Sequence, residues 1–72
     1  MKRTPVESSN LASVGYDRER KVLEIEFQNG GVYQYDGVPE RVYEGLMTAT
    51  SHGSYFHEQV KLADYPYRKI EE

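Results

Sequence analysis

The sequence predicts an α+β domain: a three-stranded antiparallel meander followed by two helices packed on one face, with the C-terminal tail extended along an edge. Three observations carry this expectation. Leu23, Ile25 and Phe27 alternate with Glu24, Glu26 and Gln28, as they should in a strand with one buried face. Asn29-Gly30-Gly31 follows at once, a hairpin signal because Asn and Gly tolerate positive φ. Beyond Pro39 the apolar period lengthens from that of a strand to that of a helix.

Taken in order, the first strand begins after Asn10. There Ala12, Val14 and Tyr16 fall on one face and Leu11, Ser13 and Gly15 on the other. Asp17-Arg18-Glu19-Arg20 makes a charged turn into the second strand, and Val32 to Tyr35 forms the third. The hairpin loop decides where Tyr33 and Tyr35 point, since a shift of one residue turns every side chain to the opposite face. A two-residue loop pairs Gln28 with Gly31 and sets both tyrosines opposite Glu26 and Glu24. A three-residue loop pairs Phe27 with Tyr33 and Ile25 with Tyr35, and is preferred because the extra Gly supplies the left-handed residue such a loop needs.

Pro39 suits the first turn of a helix, whose N–H groups lack partners anyway. Val38, Val42, Leu46, Met47 and Ala49 form its apolar stripe, while Glu40, Arg41 and Glu44 face water. Ser51 is placed to cap a short second helix carrying Tyr55, Phe56, Gln59 and Val60. The tail Tyr65 to Ile70 is extended around Pro66, which confines it to an edge strand or a packed arm. The expected core is Val14, Tyr16, Leu23, Ile25, Phe27, Tyr33, Tyr35, Val38, Val42, Leu46, Tyr55, Phe56 and Val60. Residues 8–70 make a single domain. Residues 1–7 carry little to anchor them and are expected to be flexible, as are Glu71 and Glu72.

Size and charge bound the function. A chain of 72 residues forms one domain at most and leaves no room for a deep cleft between two domains. Its net charge of −3 excludes a protein that coats nucleic acid or anionic lipid through its overall field. With no Cys, disulfides, thiolate catalysis and Cys-ligated zinc are absent. No apolar stretch is long enough for a signal peptide or a membrane span, so the expectation is a cytoplasmic protein, without membrane contact, that acts as a monomer.

Catalysis finds little support. His52 and His57 are five apart and do not share a helix face, and Glu58 lies on another. A Ser nucleophile would need an orienting acid and a strained turn that the sequence lacks. Asn29-Gly30-Gly31 joins two strands and is not followed by Gly-Lys-Ser/Thr, so it is not a phosphate loop. No cofactor, metal or catalytic residue is expected.

An ordered series of motifs carries a family resemblance. Ser8-Ser9-Asn10-Leu11-Ala12-Ser13-Val14-Gly15-Tyr16, then Leu23 to Phe27, Asn29 to Tyr35, Val38-Pro39 and Ser51-His52-Gly53-Ser54-Tyr55-Phe56 resemble the KTSC domain. The family's central Tyr-x-Tyr matches Tyr33 and Tyr35, and where Asn is expected after the Tyr-Phe pair this chain has His57. The family is named for an occurrence at the C-terminus of certain lysyl-tRNA synthetases, and many bacterial members consist of the domain alone. The resemblance implies a non-catalytic binding module with a suggested association with RNA or the translation apparatus. The alternative is a protein-interaction module that adds a strand at a sheet edge or through the tail Tyr65 to Ile70.

Charge placement narrows where RNA could be held. Between Val22 and Glu58 the single cation is Arg41, against Glu24, Glu26, Asp36, Glu40, Glu44 and Glu58. Positive charge gathers in the first hairpin loop and in the tail, where Tyr67 adds a ring for stacking. A nucleic-acid contact is therefore expected at Arg18, Arg20, Lys21, Tyr67, Arg68 and Lys69, with Glu40 near enough to neutralise part of the loop.

Overall fold

The alternation of Leu23, Ile25 and Phe27 does build the central strand of the molecule. In the computed structural model, which describes residues 1–70, it is the third of five antiparallel strands in the order β1-β2-β3-β4-β5. These are β1 (Thr4–Pro5), β2 (Leu11–Asp17), β3 (Val22–Phe27), β4 (Val32–Asp36) and β5 (Tyr67–Ile70). Between β4 and β5 come α1 (Glu40–Thr48) and α2 (His52–Phe56), the latter continued by a π-helical turn, His57–Lys61. The two helices lie on one face of the sheet, where Val14, Leu23, Ile25 and Tyr35 meet Val38, Val42, Leu46, Phe56 and Val60.

The expected three-stranded sheet is therefore corrected to five strands. The tail joins as β5, with Tyr35 opposite Tyr67 and Val32 opposite Ile70. At the other edge, residues 1–7 were expected to be unanchored, yet Thr4 pairs with Val14 and Pro5 with Ser13. Two features of the later sequence hold this segment. Gly15 has no side chain, and a Cβ there would stand 2.7 Å from the Lys2 carbonyl oxygen passing over it. Glu24 receives the Arg3 guanidinium at 2.7 Å.

The hairpin between β3 and β4 has the preferred three-residue length but a different register. Ile25 lies opposite Tyr33 and Leu23 opposite Tyr35, not Phe27 opposite Tyr33. The loop is Gln28-Asn29-Gly30, closed by Phe27 N–H to Gly31 O at 2.8 Å and Gly30 N–H to Phe27 O at 2.9 Å. Gly30, at φ +94°, supplies the left-handed residue, and Asn29 Oδ1 accepts the Gly31 N–H at 2.9 Å. The slide is by two residues, so both tyrosines keep the face of Ile25 and Leu23.

A bulge at the start of β2 alters the other expected alternation. Leu11 pairs with Phe27 and Ser13 with Glu26, leaving Ala12 as the extra residue. Leu11 is thereby returned to the core face and fully buried beside Val14. Of the expected core, Tyr16, Phe27, Tyr33 and Tyr55 are only half-buried and pack around its margin. Val22 and Val32, not expected in the core, are buried on the face away from the helices.

The helices follow their sequence signals closely. Pro39 is the N-cap of α1, one position ahead of its expected place, and Ser51 Oγ caps α2 by accepting the Ser54 N–H at 3.3 Å. Gly45, a weak helix former in the middle of α1, sits where a Cβ would run into the Tyr55 hydroxyl. Tyr16 seals the opposite end of the layer: its ring stacks on Tyr43 at 4.9 Å and its hydroxyl donates to Val38 O at 2.5 Å.

Candidate functional site

The six residues singled out by charge are distributed over three places. Arg18, Arg20 and Lys21 lie in the β2–β3 turn, where Asp17 Oδ1 accepts the backbone N–H groups of Glu19 and Arg20 at 3.1 Å. Lys21 takes the left-handed conformation that completes the turn, at φ +56°. Arg18 is paired to Glu40 at 2.6 Å, and that hydrogen bond and charge hold its guanidinium above the ordinary arginine value. On β5, Tyr67 and Lys69 share the helix-facing side with Tyr35 and Tyr33, whereas Arg68 points to the opposite side beside Gln34.

That opposite side carries a continuous polar chain. Arg3 donates to Glu24 Oε2 at 2.7 Å, Gln34 Nε2 to Glu24 Oε1 at 2.7 Å, and Arg68 Nη2 to Gln34 Oε1 at 2.7 Å. Arg68 Nη1 then reaches both oxygens of Asp36, at 3.1 and 2.8 Å. Glu24 is 5% exposed, a degree of burial a carboxylate tolerates only when it is paired and hydrogen-bonded as it is here. Arg68 is thus engaged by two neighbours on its own sheet.

The helix side of β4 and β5 is different. Beyond the reach of α2 the sheet ends in an open aromatic cleft of about 340 Å³. Its floor is Tyr33, Tyr35 and Tyr67, backed by Phe27 and Phe56, and its far wall is Val60, Lys61, Asp64 and Tyr65. The rings interlock edge to face: Phe27 is 5.6 Å from Tyr33 and 5.5 Å from Phe56, and Tyr35 is 5.4 Å from Phe56. Tyr67 leans on both floor tyrosines, at 6.1 and 5.5 Å, yet remains 64% exposed. Burial, reinforced by the neighbouring phenols of Tyr67 and Tyr33, pushes the Tyr35 hydroxyl up to about 12.

The wall is built by the π-helical turn. Leu62 N–H bonds back to His57 O at 2.9 Å, and Asp64, left-handed at φ +64°, closes the loop with its N–H on Lys61 O at 3.2 Å. Val60 is buried at the base of this wall and Lys61 stands at the rim. Sequence reasoning placed Tyr67 and Lys69 in a candidate site and Tyr65 only in the tail of the alternative reading, and missed Lys61 and Asp64. Their only signal was proximity to the tail, because a π turn has no sequence period of its own to read.

A second, polar depression gathers two distant motifs. Ser8 and Asn10 meet Ser51, His52, Gly53, His57 and Glu58 there. Ser8 Oγ accepts the N–H groups of Asn10 and Leu11 at 3.2 Å. His52 Nδ1 bonds to Leu46 O at 2.7 Å, and a Cβ on Gly53 would touch Asn10. These bonds end on backbone groups: those of Ser8 hold the turn into β2, and that of His52 ties α2 to α1. Among the described residues no cluster of three or more His, Cys, Asp or Glu is placed to hold a metal ion.

A five-stranded antiparallel sheet, two helices on one face and an aromatic cleft along the last strand define a small two-layer α+β domain. Residues 7–65 match the KTSC domain, and the chain belongs to that family. It is 42% identical over 71 residues to an uncharacterized protein of Stutzerimonas stutzeri, covering 99% of this chain and 100% of that one. The crystal structure of a KTSC domain protein from Yersinia pestis superposes with a TM-score of 0.92 at 44% identity, covering 97% of each chain. A lysine–tRNA ligase of Nostoc punctiforme is 38% identical over 55 residues, which are 76% of this chain but only 10% of the ligase.

Proposed function

We propose that this domain is a non-catalytic RNA-binding module that acts as a cytoplasmic monomer in association with the translation apparatus. The observation that carries the reading is the aromatic cleft on β4 and β5, with Tyr67 largely exposed and Lys61 at its rim. Single-stranded RNA is held by stacking of bases on rings and by cations that track the backbone. The match to part of a lysine–tRNA ligase supports an RNA context. Of the residues first read from charge, Tyr67 and Lys69 lie on this face, whereas Arg18 and Arg68 would have to leave Glu40 and Asp36 to meet phosphate.

Salt dependence tests the reading. Binding of tRNA or a single-stranded oligonucleotide should weaken with added salt, with a log–log slope of about −1.4 for two lysine contacts. Contact by all five cations of the turn and tail would steepen that slope to about −3.5. Absence of RNA binding at low salt removes the reading.

A second reading rests on β5, which pairs on one side only among the described residues. Its outer edge offers backbone groups for an added strand from a protein partner. Such a complex should change little between low and high salt, which separates it from the first reading.

A further inference from the structure

Tyr35 buries its ring in the core and keeps its hydroxyl free of protein partners. The residue is 7% exposed, and its hydroxyl, at the floor of the aromatic cleft, has no hydrogen-bond partner among the described residues. No buried side-chain polar atom among the described residues lacks a partner, so this hydroxyl is open to the water of the cleft. The half-buried Tyr16, by contrast, spends its hydroxyl on Val38 O. Tyr35 therefore presents a polar group to the cleft, inside a ring of aromatic faces.

Resting on the RNA reading above, we infer that the cleft holds one unpaired nucleobase, stacked on the Tyr67 ring and hydrogen-bonded at its edge by the Tyr35 hydroxyl. A base is flat and apolar on its faces and polar on its edge, and the cleft has that same division. Tyr67 offers an exposed face. The Tyr35 hydroxyl both donates and accepts, so it can meet either kind of edge atom. Lys61 at the rim is placed for the attached phosphate, while Asp64 in the same wall disfavours a second phosphate nearby. One base with its own phosphate is the occupant this arrangement fits, and a duplex, whose bases are stacked and paired, is not.

The test uses the full chain labelled with ¹⁵N, a single-stranded RNA heptamer, and the same heptamer annealed to its complement. Single-stranded RNA should shift the amides of Tyr33, Tyr35, Phe56 and Tyr67, and the duplex should not. Tyr35→Phe keeps every ring and the fold, and should weaken the single strand by about tenfold, the loss of one buried hydrogen bond. Lys61→Gln should flatten the salt slope by about 0.7. Single-stranded RNA that binds tightly to Tyr35→Phe, or that shifts only the amides of residues 18–21, overturns the base site while leaving RNA binding intact. Failure of both RNAs to shift any amide at low salt overturns the base site and the RNA reading together. A proline-rich peptide that shifts the cleft amides where RNA does not would assign the cleft to a protein partner and overturn the proposal.

Discussion

The two faces of the sheet treat polar groups in opposite ways. On the face away from the helices, Arg3, Glu24, Gln34, Arg68 and Asp36 satisfy one another in an unbroken chain from the N-terminal segment to β5. On the helix face, the Tyr35 ring packs against Phe56 and Tyr67, while its hydroxyl takes no protein partner among the described residues and is open to the water of the cleft. Recognition is easier where polar groups are not already engaged. A guanidinium already bound by carboxylates must break those bonds to take a phosphate, so a concentration of charge in the sequence is not a concentration of available charge. The phenol of Tyr35 has only water to give up.

The largest expected effect is on the aromatic side. Tyr35→Ala removes a buried ring that touches Phe56 and Tyr67, and should cost about 3 kcal/mol or more in urea denaturation. A loss below about 1 kcal/mol would mean that the cleft floor is not part of the core. On the polar side, Glu24→Ala leaves Arg3 and Gln34 without their shared acceptor. It should cost about 1–3 kcal/mol. A neutral result there would show that the chain of bonds is a surface arrangement of no consequence.

Alkaline pH separates the faces again. The Tyr35 phenol is raised from 10.0 to about 12, chiefly by burial. Below 10 it is protonated in both folded and unfolded chains, so its full contribution is present there. Between 10 and 12 the unfolded chain loses the proton while the folded one keeps it, and stability falls as pH rises. Denaturation of the wild type and of Tyr35→Phe across that interval should show the wild type losing ground to the variant. Parallel curves would mean that the surroundings of the phenol do not hold its proton.

How much of this was legible depended on whether the sequence signal was local. The side of the sheet on which Tyr33 and Tyr35 lie was readable, because parity is fixed by alternation and by the odd length of the loop. The register was not, because Gly30 and Gly31 can each take the left-handed position, and the structure places it at Gly30. Leu11 was assigned to the wrong face because a single inserted residue, Ala12, reverses alternation without altering composition. The strand Thr4–Pro5 has no periodicity to detect in two residues. Its anchors are Glu24 and the bare backbone of Gly15, signals that mean nothing until the sheet exists. The cleft was legible only in its tail residues, since its wall is a π turn.

The smallest expected effect tests the site first suggested by charge. Arg18, Arg20 and Lys21 replaced together by Gln removes the cations of the β2–β3 turn. The only ion pair among them in the described residues joins Arg18 to Glu40, with side chains 62% and 46% exposed. Water and salt screen such a pair, and its loss should change stability by less than about 1 kcal/mol. The turn itself should persist, because Asp17 holds it through the backbone N–H groups of Glu19 and Arg20. If RNA enters the aromatic cleft, the triple variant should bind single-stranded RNA with a nearly unchanged salt slope, since its cations lie outside the cleft. A slope flattened by about 2, as expected for three lost phosphate contacts, would instead locate the RNA on the turn. It would also mean that the Arg18–Glu40 pair opens on binding, placing recognition on the charged side of the molecule despite the partners that Glu40 and Asp36 provide there.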